Sequence, residues 1–75
     1  MYVYTHTYIN SQKVKELRTD LNLTRNEVSQ RSGISSHHIY RIEHGITPAP
    51  DVDTASRLAK ALDVDIHILL KESEE

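Results

Sequence analysis

Side chains with reactive or hydrogen-bonding groups are concentrated in residues 35 to 44 of this sequence. The groups are two hydroxyls, three imidazoles, a phenol and a guanidinium, carried by Ser35, Ser36, His37, His38, Tyr40, Arg41 and His44. Such groups suit three kinds of chemistry: a serine activated by a histidine base, a metal ion held by histidines, or a surface that forms hydrogen bonds with a partner. The spacing of the groups discriminates between these three.

Neither a metal site nor a catalytic nucleophile is expected from this spacing. Metal ligands on one helix need to lie three or four residues apart, but His37 finds Arg41 at that distance and His38 finds Ile42. No third catalytic group or oxyanion pocket accompanies Ser35. We therefore expect no enzyme, no metal and no cofactor, and we expect a surface that recognises a partner.

Helix starts are marked by a recurring pattern: an apolar residue, a capping residue, and a second apolar residue four positions into the helix. Thr24 shows it most fully, because Glu27 at the third helical position completes a capping box. A further start follows Pro50, at Asp51. The four starts with the full pattern are Ile9-Asn10-Val14, Leu23-Thr24-Val28, Ile34-Ser35-Ile39 and Val64-Asp65-Leu69. The sequence therefore predicts an all-α domain of five short helices.

The second and third of these helices are separated by a short turn. Gly33 lies in that turn, where a sharp reversal favours the left-handed backbone conformation that glycine adopts readily. The spacing of core residues, which would fix the angle between the two helices, is found at Val28, Ile34, Ile39 and Ile42. Residues Thr24 to His44 therefore predict a helix-turn-helix.

Five short stretches in and around this motif form a specific set. They are Leu17-Arg18, Leu23 to Val28, Gly33-Ile34-Ser35, Ile39 to Gly45 and Leu58 to Val64. Over about residues 10 to 71 the chain resembles the Xre/Cro helix-turn-helix family of phage and bacterial repressors. The resemblance implies a compact, five-helix, repressor-like domain whose third helix, Ser36 to His44, enters the major groove of double-stranded DNA. The chain departs from the family at Ser29, where alanine is usual, and in the loop Ile46 to Pro50, which has no basic residue.

The resemblance assigns base contacts to the third helix. Ser36, His37 and Arg41 occupy the positions that usually read bases, and residues 37 and 41 lie one turn apart on one side of a helix. Arg41 is able to donate two hydrogen bonds to guanine O6 and N7, an arrangement worth about 1 to 3 kcal/mol against a wrong base. Tyr40 lies next to this face, within reach of a thymine methyl group or a phosphate.

Contacts to the DNA backbone and a structural ion pair complete the expected site. Arg25 places a cation at the start of the second helix, which is unfavourable with the helix dipole unless an anion compensates it. This placement indicates a contact with a phosphate group. The expected backbone contacts are Arg25, Ser35, His38 and His44. In the family, the position of Arg18 pairs with the glutamate that is Glu43 here. We therefore expect this pair to tie the first helix to the third.

Charge and length agree with a partner-binding surface. The chain has 75 residues and a net charge of −2, but residues 1 to 45 hold six basic against four acidic side chains, and the remainder holds three against seven. The first half is therefore the one able to face phosphate. A chain this short offers no deep substrate pocket. It has no cysteine, and no apolar run of the roughly 20 residues that cross a membrane, so we expect a cytoplasmic protein.

The two ends of the chain are expected to set how the domain assembles. Residues 1 to 9 alternate in the manner of a short β-strand, which would pair with a second subunit, drape over the domain, or stay flexible. The fifth helix, Asp65 to Leu70, offers more apolar area than one domain covers, and residues 72 to 75 would form a flexible acidic tail. The expected dimer surface comprises Tyr2, Tyr4, Ile66, Ile68, Leu69 and Leu70.

Two functions fit these expectations. The first is a transcriptional regulator, in particular a repressor that binds a palindromic operator as a homodimer, with half-sites roughly 34 Å apart. The second is an antitoxin or co-regulator module that acts mainly by binding another protein, which the acidic second half and the tyrosine-rich strand favour. Control would come through a partner protein, such as an antirepressor, or through concentration, and not through a small molecule.

Overall fold

Five short helices and two strands make up the part of the chain that the structure describes. The computed structural model describes residues 6–47 and 50–73, with side chains for 8–47 and 50–71. In chain order the elements are β1 (His6–Ile9), α1 (Ser11–Asp20), α2 (Arg25–Ser32), α3 (Ser36–Glu43), α4 (Val52–Ala61), α5 (Ile66–Leu69) and β2 (Leu70–Ser73). Of the helices in the described part of the chain, none is long and apolar enough to cross a membrane. The predicted five-helix domain is confirmed, with a two-stranded sheet added to it.

Local side-chain caps fix where the helices begin. Asn10, Thr24, Ser35 and Asp51 each accept a hydrogen bond from the backbone N–H three residues on, at 2.9 to 3.1 Å. Such bonds satisfy amides that have no partner inside the helix. Between α2 and α3 the chain reverses at Gly33, whose φ of 77° is in the left-handed region. The start of α3 is therefore set by bonds that span only a few residues.

The core lies where the helices meet. Helix α2 packs on α3 and α4, and α1 packs on α3 and α5. The large side chains buried there are Ile9, Val14, Val28, Ile39, Ile42, Leu58, Leu62 and Leu69. One side of α3 is anchored in this core, which leaves its opposite side facing solvent.

The N-terminal strand pairs within its own chain. Strand β1 is antiparallel to β2, with His6 opposite Ser73 and Ile9 opposite Leu70. Directly after the strand, the Asn10 N–H donates to the Leu69 carbonyl at 2.6 Å. Residues 6–9 therefore pair with residues 70–73 of the same chain, and pairing of the opposite edge of β1 with a second subunit stays a prediction. Of the expected dimer surface, Tyr2 and Tyr4 lie outside the described residues.

The last helix is shorter than predicted and buries part of the expected dimer surface. Leu69 is fully buried in the core, so its assignment to a dimer surface was wrong. Leu70 belongs to β2, and both it and Ile66 are half-buried, whereas Ile68 is 46% exposed. Strand β2 continues to Ser73, so the folded chain extends past the predicted boundary at residue 71. A polar strand of four residues has no periodic signal of its own, which is why the sequence suggested a tail.

Candidate nucleic-acid interface

The exposed side of α3 carries the side chains that were expected to read bases. Ile39 and Ile42 point into the core, while His37, Tyr40 and Arg41 are exposed and Ser36 is half-buried. Helical spacing places residues 36, 37, 40 and 41 on adjoining positions of one face. The structure therefore brings these four together on the solvent side of α3.

Arg41 is ready to bind a partner. Among the residues that the structure describes, its guanidinium has no hydrogen-bond or ion-pair partner. Its carbonyl accepts hydrogen bonds from the N–H groups of Ile46 and Thr47, at 2.9 and 3.3 Å, which fixes the chain just after the helix. An exposed guanidinium presents five donors in a planar fork, a geometry that fits paired acceptors such as those of guanine.

A row of rings runs along the same face. The rings of His37 and Tyr40 are nearly parallel, with centroids 6.4 Å apart, and the rings of Tyr40 and His44 lie 4.1 Å apart at 32°. From α2, the guanidinium carbon of Arg25 lies over the Tyr40 ring at 5.2 Å from its centroid. The spacings of three and four residues between these rings are a signal that sequence reasoning missed, because each side chain was treated separately.

Beneath this row a buried carboxylate joins three helices. Glu43 has no exposed side-chain area, and Arg18 binds it twice, Nε to Oε2 at 2.6 Å and Nη2 to Oε1 at 3.1 Å. Arg18 also donates to the Leu23 carbonyl at 2.9 Å. Arg25 Nε donates to Glu43 Oε1 at 3.1 Å. One carboxylate therefore serves two guanidinium groups, and the cluster keeps an excess positive charge.

The contact between Arg25 and Glu43 was not anticipated from the sequence. The two residues are 18 positions apart and on different helices, so no local spacing connects them. The side chain of Arg25 keeps 34% of its area exposed, and its terminal nitrogens have no partner among the described residues. Arg25 is therefore both part of the scaffold and available to an anion.

A shallow groove opens between the first turns of α2 and α3. Its lining comprises Thr24, Arg25, Asn26, Ser36, His37 and Tyr40. The N-terminal ends of helices carry partial positive charge and backbone N–H groups without helical partners. This groove therefore combines donors, rings and a cation on the side of the molecule where α3 is exposed.

The remaining expected backbone contacts are spread around α3. The Ser35 hydroxyl caps the helix by accepting from the His38 N–H, and His38 is half-buried near Asp51 at the start of α4. His44 stacks on Tyr40 at the far end. Across the residues that the structure describes, His, Asp and Glu side chains form no group of three able to hold a metal ion.

Comparison with known proteins places this geometry in a family. A helix-turn-helix family model matches residues 14–69, which include all of α2 and α3. The transcriptional regulator SinR of Bacillus licheniformis and that of Bacillus subtilis are each 25% identical to the chain over 64 residues, or 85% of it. The match covers 58% of each SinR chain, so the protein spans little more than half the length of these relatives.

Solved structures agree with the family match. The restriction-modification controller protein C.AhdI of Aeromonas hydrophila superposes with a TM-score of 0.72 at 26% identity, covering 77% of this chain and 86% of its own. The N-terminal DNA-binding domain of Bacillus subtilis SinR gives a TM-score of 0.73 at 25% identity, covering 87% and 94%. A structure of SinR in complex with DNA, 21% identical with a TM-score of 0.72 over 76% and 90%, shares the fold. The chain belongs to the Xre-like helix-turn-helix family.

Proposed function

We propose that this protein is a sequence-specific, double-stranded DNA-binding transcriptional regulator that acts as a repressor. It places α3 in the major groove, where Ser36, His37 and Arg41 contact bases and Tyr40 lies beside them on the same face. Arg25 and Ser35 hold the DNA backbone, with His38 and His44 at the margins. Phosphate contacts set position along the duplex, and base contacts set sequence preference.

The observation that carries this proposal is the unpaired guanidinium of Arg41 on the exposed face of α3. Among the described residues, Arg18, Arg25 and Arg57 each have a carboxylate partner, whereas Arg31 and Arg41 have none, and of these two only Arg41 lies on α3. An arginine left unpaired beside Ser36 and His37, next to a groove formed by two helix starts, suits acceptors on a nucleic acid.

Selection of duplexes from a random pool by the purified chain tests the proposal. We expect an enriched motif, and we expect Arg41→Ala to lose preference for at least one base pair of it while circular dichroism stays unchanged. Lys60→Ala is the matched control, because it removes one exposed positive charge from α4, which packs on α2 and α5. An unchanged motif for Arg41→Ala would overturn the assignment of α3.

The proposed DNA-bound form is a homodimer on a palindromic operator, since one module contacts few base pairs. Ile68, exposed on α5, supports this surface, with the half-buried Ile66 and Leu70 beside it. We expect Ile68→Glu to lower the dimer fraction in sedimentation analysis and to weaken binding to the two-fold site more than to a half-site. Equal sedimentation of wild type and Ile68→Glu would exclude this surface.

The same selection separates the proposal from a protein-interaction module, the alternative that the acidic second half of the chain favours. A binder that contacts several phosphates loses affinity steeply as salt rises, because counterions are released on binding. A flat salt profile, or no enriched duplex, would favour an antitoxin or co-regulator role instead.

A further inference from the structure

The guanidinium of Arg25 is held in place by two other side chains. It is held from two directions, by Glu43 Oε1 on Nε at 3.1 Å and by the ring of Tyr40 at 5.2 Å. A flexible arginine loses rotamer freedom when it binds a phosphate, and restraint in the free protein removes part of that cost. Both restraints come from α3, whereas Arg25 belongs to α2.

The two restraints leave a defined part of the guanidinium free. Nε is used by Glu43, while the two terminal nitrogens have no partner among the described residues. The carboxylate is also bound twice by Arg18, so it neutralises only part of the charge of Arg25. The terminal nitrogens are thus both available and still strongly positive, which suits a phosphate oxygen.

Tyr40 is restrained in turn. Its ring packs on the ring of His44 at 4.1 Å, and Arg25 covers it at 5.2 Å. A cation over an aromatic face is attracted by the ring's quadrupole, and the attraction needs the ring but not the hydroxyl. The ring is therefore occupied within the protein before any partner arrives.

We propose that Tyr40 is a positioning residue for DNA binding, whose ring, together with Glu43, holds Arg25 over α3 so that its terminal nitrogens contact a phosphate. This proposal rests on the DNA-binding function and assigns Tyr40 a different part in it from direct contact with a base. It also links α2 to α3 energetically, since the phosphate contact of one helix depends on a side chain of the other.

Salt-dependent binding of the full chain to the selected operator duplex tests this coupling. The logarithm of the binding constant falls as the logarithm of the salt concentration rises, and each phosphate contact adds about 0.9 to the magnitude of this slope. We expect Arg25→Ala to lower the slope by about 0.9 and to weaken binding on the order of tenfold at moderate salt. Tyr40→Ala should lower the slope by a similar amount, although it removes no charge, and Tyr40→Phe should behave as the wild type.

The double variant Arg25→Ala, Tyr40→Ala completes the cycle. If Tyr40 acts through Arg25, the double variant binds no more weakly than Arg25→Ala alone, since the interaction is already lost. Additive losses, or a Tyr40→Phe defect as large as that of Tyr40→Ala, would overturn the proposal and indicate that Tyr40 touches DNA itself. An unchanged slope for Tyr40→Ala would also overturn it, because the phosphate contact of Arg25 would then not depend on the ring.

Ile46→Ala serves as the control for general loosening of α3, because it removes a side chain that is 56% exposed just after the helix and takes no part in the contacts among Arg25, Tyr40 and Glu43. Its salt slope should change less than that of Tyr40→Ala, and an equal change would overturn the specific role of the Tyr40 ring.

Failure of this inference is distinguishable from failure of the proposed function. In the first case the duplex is still selected and Arg41→Ala still changes its motif, and in the second no duplex is selected.

Discussion

At the scale of single residues, the stability of the domain depends on how the buried charge of Glu43 is compensated. Its carboxylate is fully buried and is bound by Arg18 and Arg25. A buried charge is tolerated when its partners replace the hydrogen bonds of water, and it becomes costly when a partner is removed. The cluster therefore makes the stability of the domain depend on side chains from three helices.

We expect Arg18→Ala to lower the free energy of unfolding by about 3 kcal/mol, because Glu43 would keep one hydrogen bond of its present three. Chemical denaturation measures the change. Arg57→Ala is the control, since its ion pair with Asp53 is exposed and such pairs contribute roughly 0 to 1 kcal/mol. Equal effects of the two substitutions would show that the buried cluster contributes little.

The resemblance to the family indicated Arg18 and Glu43 as a pair, but nothing in the sequence indicated Arg25 as the third member. A pair that shares a family motif can be read from positions alone. A contact between α2 and α3 depends on the angle at which two helices pack, and that angle follows from the core as a whole. The sequence therefore indicated Arg25 as a phosphate ligand but not as a hydrogen-bond partner of Glu43.

At the scale of the helices, a carboxylate at the start of α2 and another at the start of α4 make these two helix starts sensitive to acid. The backbone N–H of Thr24 donates to the carboxylate of Glu27 at 2.8 Å, and this bond, with that from the Thr24 hydroxyl, lowers the pKa of Glu27. Hydrogen bonds from the hydroxyl and then the backbone N–H of Thr54 lower the pKa of Asp51 in the same way. Both groups therefore favour their ionised form more in the folded chain than in the unfolded one.

A carboxyl group whose pKa is lowered by folding stabilises the folded state at pH values above its ordinary pKa. This contribution is lost as the pH falls through the lowered pKa. Wild type should therefore lose more stability between about pH 5 and about pH 2.5 than the double variant Glu27→Gln, Asp51→Asn, whose amides still accept hydrogen bonds. Denaturation midpoints measured across this range test it, and parallel profiles would contradict it.

Helix starts could be predicted closely because their causes are local. Asn10, Thr24, Ser35 and Asp51 are the predicted caps, and the structure has α1 to α4 begin at the residue after each. The end of α5 could not be predicted in this way. Leu70 fits a helical face as well as it fits a strand, and the choice between them depends on β1, more than sixty residues earlier in the chain.

At the scale of the whole molecule, the N-terminal segment is part of the core. Ile9, at the end of β1, is 2% exposed and is a member of the same cluster as Leu69. The sequence indicated a strand here but not its partner, since an alternating pattern shows which residues share a face and not what they pair with. The domain therefore extends at least from His6 to Ser73.

We expect Ile9→Ala to lower the free energy of unfolding by about 2 to 5 kcal/mol, the range for large-to-small changes in a packed core. Ile46→Ala is the matched control, because the same side chain there is 56% exposed and surface changes usually stay within about 0.5 kcal/mol. Thermal or urea denaturation measures both. If Ile9→Ala is as mild as the control, β1 does not contribute to the core.

The pairing of β1 with β2 also bears on the order in which the chain folds. His6 and Ser73 are opposite each other, so this ribbon closes a loop that contains α1 to α5. The entropy lost on closing a loop grows with its length, and contacts between distant residues form slowly for that reason. The helices, whose caps and turns join near neighbours, are expected to assemble first, and the ribbon to join the two ends of the chain around a core that is already packed.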